Sequence, residues 1–90
     1  MSEENTENTE LVTQIKEVLT YNLNQIIEFK DELSLVEEIG DNSISITIKA
    51  KKEDRGKIIG KRGNMIRSMR TIIRALASKS KVRTVINMLD

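Results

Sequence analysis

Gly60-Lys61-Arg62-Gly63 cuts one helix-compatible stretch into two, and any fold of this chain has to turn there. Asp54 stands where it can cap a short helix running to Ile59. Asn64 can open a second helix, in which Ile66, Met69, Ile73, Leu76 and Ala77 form an apolar stripe. A Gly-x-x-Gly turn between two short helices brings backbone N–H groups out to where an anion can approach, because glycine has no Cβ to obstruct it. In isolation this spacing is common. The cations at its tip, the apolar pairs on either side and the Arg-rich helix that follows give it weight.

The rest of the chain supplies what the turn must pack against. Leu11, Val12, Ile15, Val18, Leu19, Leu23 and Ile26 recur at helical spacing from Glu10, which predicts an amphipathic helix with Thr9 as its N-cap. Its C-terminal end is open, since Ile26-Ile27-Glu28-Phe29 can continue it or begin a connection. Leu33, Leu35 and Ile39, then Ile44, Ile46 and Ile48, alternate with polar residues around Gly40-Asp41-Asn42. That pattern predicts a β-hairpin over 33–49. Val82–Leu89 is β-prone and predicts a last strand. Residues 1–9 hold no large apolar side chain after Met1 and are expected to form a disordered acidic leader, with 10–90 a single domain. The predicted order is α-β-β-α-α-β, an α+β fold with helices packed over a three-stranded sheet.

Charge is distributed by halves. Residues 1–48 carry eleven acids against Lys16 and Lys30, whereas residues 49–83 carry thirteen Lys/Arg against Glu53 and Asp54. Two readings fit this asymmetry: a polyanion partner for the second half, or two solvated faces that partly neutralise each other. The chain has no cysteine and no histidine, so neither a disulfide nor a Cys/His metal site can form. The composition suits the reducing cytoplasm, and no apolar run approaches the roughly 20 residues of a membrane span.

Candidate chemistries narrow quickly. A nucleotide P-loop requires four residues between its glycines and then Lys-Ser/Thr. Gly56 and Gly60 are separated by three, and Arg62 stands where the hydroxyl would bind magnesium. No G-x-G triplet exists for a dinucleotide. Nucleophile–base pairs are missing too, because Ser78 and Ser80 have no partner base and the carboxylates cluster away from the cationic loop. The expectation is therefore a non-enzymatic chain without cofactor, metal or small-molecule substrate.

What remains is a grip on a nucleic-acid backbone. Free amides at Gly60–Asn64 would face a phosphate, with Lys61 and Arg62 adding Coulomb attraction. Arg67, Arg70 and Arg74 recur at +3 and +4 and share a helix face offset from the apolar stripe. Arg67 and Arg70, nearest the loop, are candidates for phosphate contact; Arg74, farthest from it, reads as an ordinary solvated residue. Ile58 and Ile59 cannot both point inward on one helical turn, so one of them, or Ile48 on the adjacent strand, is a candidate to line a groove, although the core is the commoner place for each. The only aromatics, Tyr21 and Phe29, lie outside the loop region. An aromatic platform for bases is thus absent, and a bound strand would rest on aliphatic side chains.

Ile58-Ile-Gly-Lys-Arg-Gly-Asn-Met-Ile66 resembles the KH-domain signature [V/I]-I-G-x-x-G-x-x-[I/L]. The order of elements resembles the type II, prokaryotic KH arrangement. In size, and in Asp54-Arg-Gly-Lys-Ile-Ile-Gly-Lys-Arg-Gly followed by Ser68-Met-Arg-Thr-Ile72, the chain is similar to the small bacterial KhpA (YlqC-like) family over residues 10–90. The resemblance implies a type II KH fold with helices on one face of a three-stranded mixed sheet, the last strand parallel to the second hairpin strand. It also implies a single-stranded RNA partner and an RNA chaperone or post-transcriptional regulator, with a loop clamping about four nucleotides. The site carried over comprises Lys57, Ile59, Gly60, Lys61, Arg62, Gly63, Asn64, Ile66, Arg67 and Arg70. Members are further linked with homodimers, with a KhpB (Jag, EloR) partner and with control of cell elongation and division. An alternative role is thereby implied, a protein-interaction or dimerisation module. Two features depart from the family pattern: residues 21–33 lack the proline usual in that connection, and the leader is unusually acidic.

Overall fold

A computed structural model describes residues 2–89. Helix α1 (Ser2–Asn24) leads into an irregular connection, then strands β1 (Ser34–Ile39) and β2 (Ser43–Lys49). Helices α2 (Lys52–Ile59) and α3 (Asn64–Ala77) flank the glycine turn, and β3 (Arg83–Met88) closes the domain. The α-β-β-α-α-β order is thus that of an α+β type II KH fold.

The sheet runs β1-β2-β3 with β2 in the centre. Ile39 pairs with Ile44 and Ser34 with Lys49 in the antiparallel hairpin. Ser43 aligns with Arg83 and Ile48 with Met88 in the parallel pair. Parallel strands cannot be joined by a tight turn, so the 33 residues from Ala50 to Val82 form the crossover, and it is this crossover that contains α2, the glycine turn and α3.

Alternation in β2 sets the core. Ile44, Ile46 and Ile48 are fully buried, while Ser43, Ser45 and Thr47 face away. Onto that row pack Ile15, Leu19 and Leu23 of α1, Ile58 of α2, Met69 and Ile73 of α3, and Ile86 of β3. The core is aliphatic throughout. Each fully buried Leu or Ile contributes about 1.5–3 kcal/mol of transfer free energy, which makes this row the main stabilising element.

Two local expectations change, and two points left open are settled. Helix α1 continues N-terminally through Thr9 to Ser2, into the expected leader, so Thr9 is not its N-cap. Residues 1–39 contain no glycine or proline to stop it, and the Thr13 hydroxyl donates to the Thr9 carbonyl 3.0 Å away as inside any helix. At the other end, Ile26 and Ile27 leave the helix through a turn after Asn24. Ile48 is core and lines no groove. Asp54 does not cap α2: the helix starts two residues earlier, at Lys52, and the Asp54 carboxylate is directed across to the connection.

Candidate nucleic-acid interface

The glycine turn has a backbone that most residues cannot adopt. Gly60 sits at φ 78°, ψ 175°, and Gly63 at φ 77°, ψ 13°. Between them Arg62 is left-handed at φ 56°, ψ 27°. A Cβ on Gly60 would lie 2.6 Å from Met65 Cβ and 2.8 Å from the Met65 backbone nitrogen, so glycine is required there by space as well as by φ. The Gly60 N–H closes α2 on the Gly56 carbonyl, and the Gly63 N–H bonds the Gly60 carbonyl. Among the described residues the N–H groups of Lys61 and Arg62 have no backbone acceptor. Both residues are exposed at the tip, cationic side chains included. Unpaired amides and cations at one point are what a phosphate oxygen needs.

Arg67 braces this turn. Its guanidinium donates to Asn64 Oδ1 and to the Arg62 carbonyl, each at 2.8 Å. Two of the predicted phosphate ligands, Arg67 and Asn64, therefore hold the left-handed conformation in place. Ile66 is buried and joins the helices as core. Of the Ile58/Ile59 pair, Ile58 is fully buried and Ile59 is 37% exposed, so Ile59 faces outward beside the loop.

Lys57 is diverted. It lies two residues before Ile59 and so projects from nearly the opposite side of α2. Its Nζ sits 3.5 Å from Glu28 Oε1 and 3.7 Å from Asp54 Oδ1. Among the described residues Lys57 alone, of the thirteen Lys/Arg in 49–83, has a carboxylate at salt-bridge distance. The basic half is thus not neutralised by the acidic half within the fold, which favours the polyanion reading of the charge asymmetry.

Arg70 reaches the sheet edge: its Nε donates to the Ile86 carbonyl at 3.0 Å. The β3 residues that turn their backbone toward β2 include Arg83 and Leu89, whose N–H groups bond Asn42 and Ile48 carbonyls. By the period of a strand, Thr84, Ile86 and Met88 present their backbone groups to the free edge. Arg70 and Arg74 of α3 and Val82–Asn87 line a single groove along that edge. Sequence reasoning assigns Arg74 to a solvated face and passes over Arg83, Thr84 and Asn87. The signal available is topological: a parallel β-αα-β crossover leaves the last strand at an edge under the second helix. Phe29 lies at the far end of α2, under the Lys51 ammonium at 4.2 Å, and contributes nothing to this groove.

The model of the KhpA/KhpB KH domain matches residues 16–88. The chain belongs to the KhpA/KhpB KH-domain family. RNA-binding protein KhpA of Clostridium acetobutylicum is 33% identical over 75 residues, covering 83% of this chain and all of the relative. KhpA of Chlamydia trachomatis is 33% identical over 76 residues, covering 84% of this chain and 97% of the relative. KhpA of Aquifex aeolicus is 28% identical over 76 residues, covering 84% and 96%. This KH family is non-enzymatic. In this KhpA/KhpB member the glycine turn has Lys61-Arg62 at its centre and precedes α3, whose Arg70 and Arg74 line the α3–β3 groove. Among the described residues no three acidic side chains converge as a metal site, and no helix is long and apolar enough to cross a membrane.

Proposed function

We propose that this chain binds single-stranded RNA, clamping its phosphate backbone with Gly60–Gly63 and laying adjacent nucleotides in the groove between α3 and β3. The observation that carries this reading is the loop itself. Two unbonded N–H groups, at Lys61 and Arg62, stand beside two unpaired cations, in a left-handed backbone braced by Arg67. The relatives' name, RNA-binding protein KhpA, supports it. Residues 10–90 act as one KH unit, in the cytoplasm, as an RNA chaperone or post-transcriptional regulator. With aliphatic Ile59 exposed beside the loop and no aromatic lining the groove, contact is chiefly to the backbone, and sequence preference is weak.

The test is a salt titration of binding to single-stranded RNA, followed by fluorescence anisotropy. Lys61→Asp/Arg62→Asp is expected to reduce affinity at least 100-fold at about 0.1 M salt. It should also flatten the log K against log[salt] slope by roughly 1.4, at about 0.7 for each phosphate no longer neutralised. Parent-like affinity and slope in the double variant would sink the clamp.

One observation favours a second role. Met65 and Ile72 are 38% and 47% exposed on α3, away from the arginine face, and give it an uncovered apolar stripe. On this reading the stripe pairs with another KH domain, as a homodimer or with a KhpB/Jag-like partner. Light scattering on the same two preparations separates the roles: a dimer keeps its mass in the double variant that no longer binds RNA.

A further inference from the structure

Among the described residues only two non-glycine positions have positive φ, Arg62 and Lys81, both at 56°. They flank α3, one just before it and one at the end of the Ser78–Ser80 turn that closes it. Both are exposed cations, and among the described residues neither side chain has an acidic partner. Left-handed backbone after a helix is ordinarily the place for glycine or asparagine. A lysine there is strained by its own Cβ, so the charge is present at a position where the backbone disfavours its carrier. At Arg62 the proposed clamp accounts for that. The same feature recurs at Lys81, about 21 Å away along the fourteen residues of α3.

Between these two positions lies the α3–β3 groove, whose lining begins at Val82, next to Lys81, and carries further charge. Arg70 and Arg74 stand on α3 and Arg83 on β3, with Lys81 two residues before Arg83. We infer that Lys81 is a second phosphate contact, at the end of the α3–β3 groove remote from the glycine turn, and that it extends the bound RNA beyond the clamp's tetranucleotide. This rests on the RNA-binding reading proposed above. A strand long enough to reach from Arg62 past Arg74 and Arg83 meets Lys81; one of about four nucleotides held at the loop does not.

The test uses the full chain with fluorescein-labelled tetra- and deca-uridylate as probes, and Lys81→Gly and Lys81→Asn as variants that both tolerate the left-handed backbone. Lys81→Gly is expected to raise the melting temperature by a few degrees, as strain is relieved. Both variants should weaken decamer binding on the order of fivefold at about 0.1 M salt and reduce its salt slope by roughly 0.7. Tetramer binding should be unchanged. Parent-like decamer binding overturns the inference, and so does equal weakening for both probes, which would place Lys81 within the tetranucleotide site. A lower melting temperature in Lys81→Gly would mean that the lysine serves the helix end through its dipole, removing the reason to assign it to RNA. Failure of the clamp is read separately, from tetramer binding that survives Lys61→Asp/Arg62→Asp.

Discussion

Gly60→Ala is expected to lower the melting temperature by on the order of 15 °C and to abolish RNA binding. At φ 78°, ψ 175° Gly60 occupies a region essentially closed to residues with a side chain. The added carbon would also meet Met65 Cβ at 2.6 Å and its backbone nitrogen at 2.8 Å, and neither can retreat without moving the start of α3. Strain and overlap together cost about 3 kcal/mol or more. Gly63→Ala provides the contrast. Its φ of 77° with ψ 13° is an ordinary left-handed conformation, and the nearest atom to a new Cβ is Nη2 of Arg67 at 3.3 Å, the end of a long side chain that needs to give by only a few tenths of an ångström. A destabilisation of about 1 kcal/mol, or some 4–8 °C, is expected there. Thermal unfolding followed by circular dichroism ranks the two; equal decreases would mean that the turn's geometry is misassigned.

Asp54→Ala is the second large effect. The carboxylate is fully buried, and its two oxygens accept the Glu28 N–H at 3.0 Å and the Phe29 N–H at 2.9 Å. It thereby ties the connection between α1 and β1 to α2, the helix that ends at Gly60. Alanine leaves two backbone donors without an acceptor, and a melting temperature lower by on the order of 10 °C is expected. Asp54→Asn retains one acceptor oxygen and should show about half that decrease. Burial alone would push the Asp54 pKa up, but the two N–H bonds and the nearby Lys57 ammonium outweigh it and hold the pKa below its ordinary 3.8. The sign follows: a carboxyl whose folded pKa is depressed stabilises fully above 3.8, and this stabilisation is lost as pH falls from there through the folded pKa. Melting temperatures of the parent should therefore drop on acidification below 3.8 more steeply than those of Asp54→Asn. Parallel curves would show that Asp54 titrates alike in the folded and unfolded chain.

Asp54 also shows where the sequence is legible and where it is not. Ile44, Ile46 and Ile48 alternate with polar residues, a period that only a half-buried strand satisfies, and they form the central row of the core. Of the stripe Ile66, Met69, Ile73, Leu76 and Ala77, all are buried except Leu76, which is half-buried against the core. The glycine turn is readable because Gly60 has no substitute there. An aspartate at a helix start, by contrast, is described equally well by a cap to its own helix and by a long-range acceptor. Only the proximity of Glu28 and Phe29, 26 and 25 residues away, decides between them. The same limit applies to Arg74 and Arg83, which meet across the groove only because β3 pairs parallel to β2. Val36 blurs the β1 pattern because an edge strand with one uncovered face tolerates an exposed valine. Lys57 and Lys61 are both lysines within four residues of Gly60, yet Lys57 on α2 reaches carboxylates while Lys61, beyond the end of that helix in the glycine turn, has none at salt-bridge distance among the described residues.

Amide chemical-shift mapping by NMR, during titration with a single-stranded tetranucleotide, distinguishes a clamp at the glycine turn from binding anywhere else on the molecule. The largest shifts are expected at Gly60–Asn64, smaller ones at Ile59, Arg70 and the free edge of β3, and none along the outer face of α1 around Tyr21. Saturable shifts confined to α1 and β1, with the amides of Lys61 and Arg62 unmoved, would contradict the clamp.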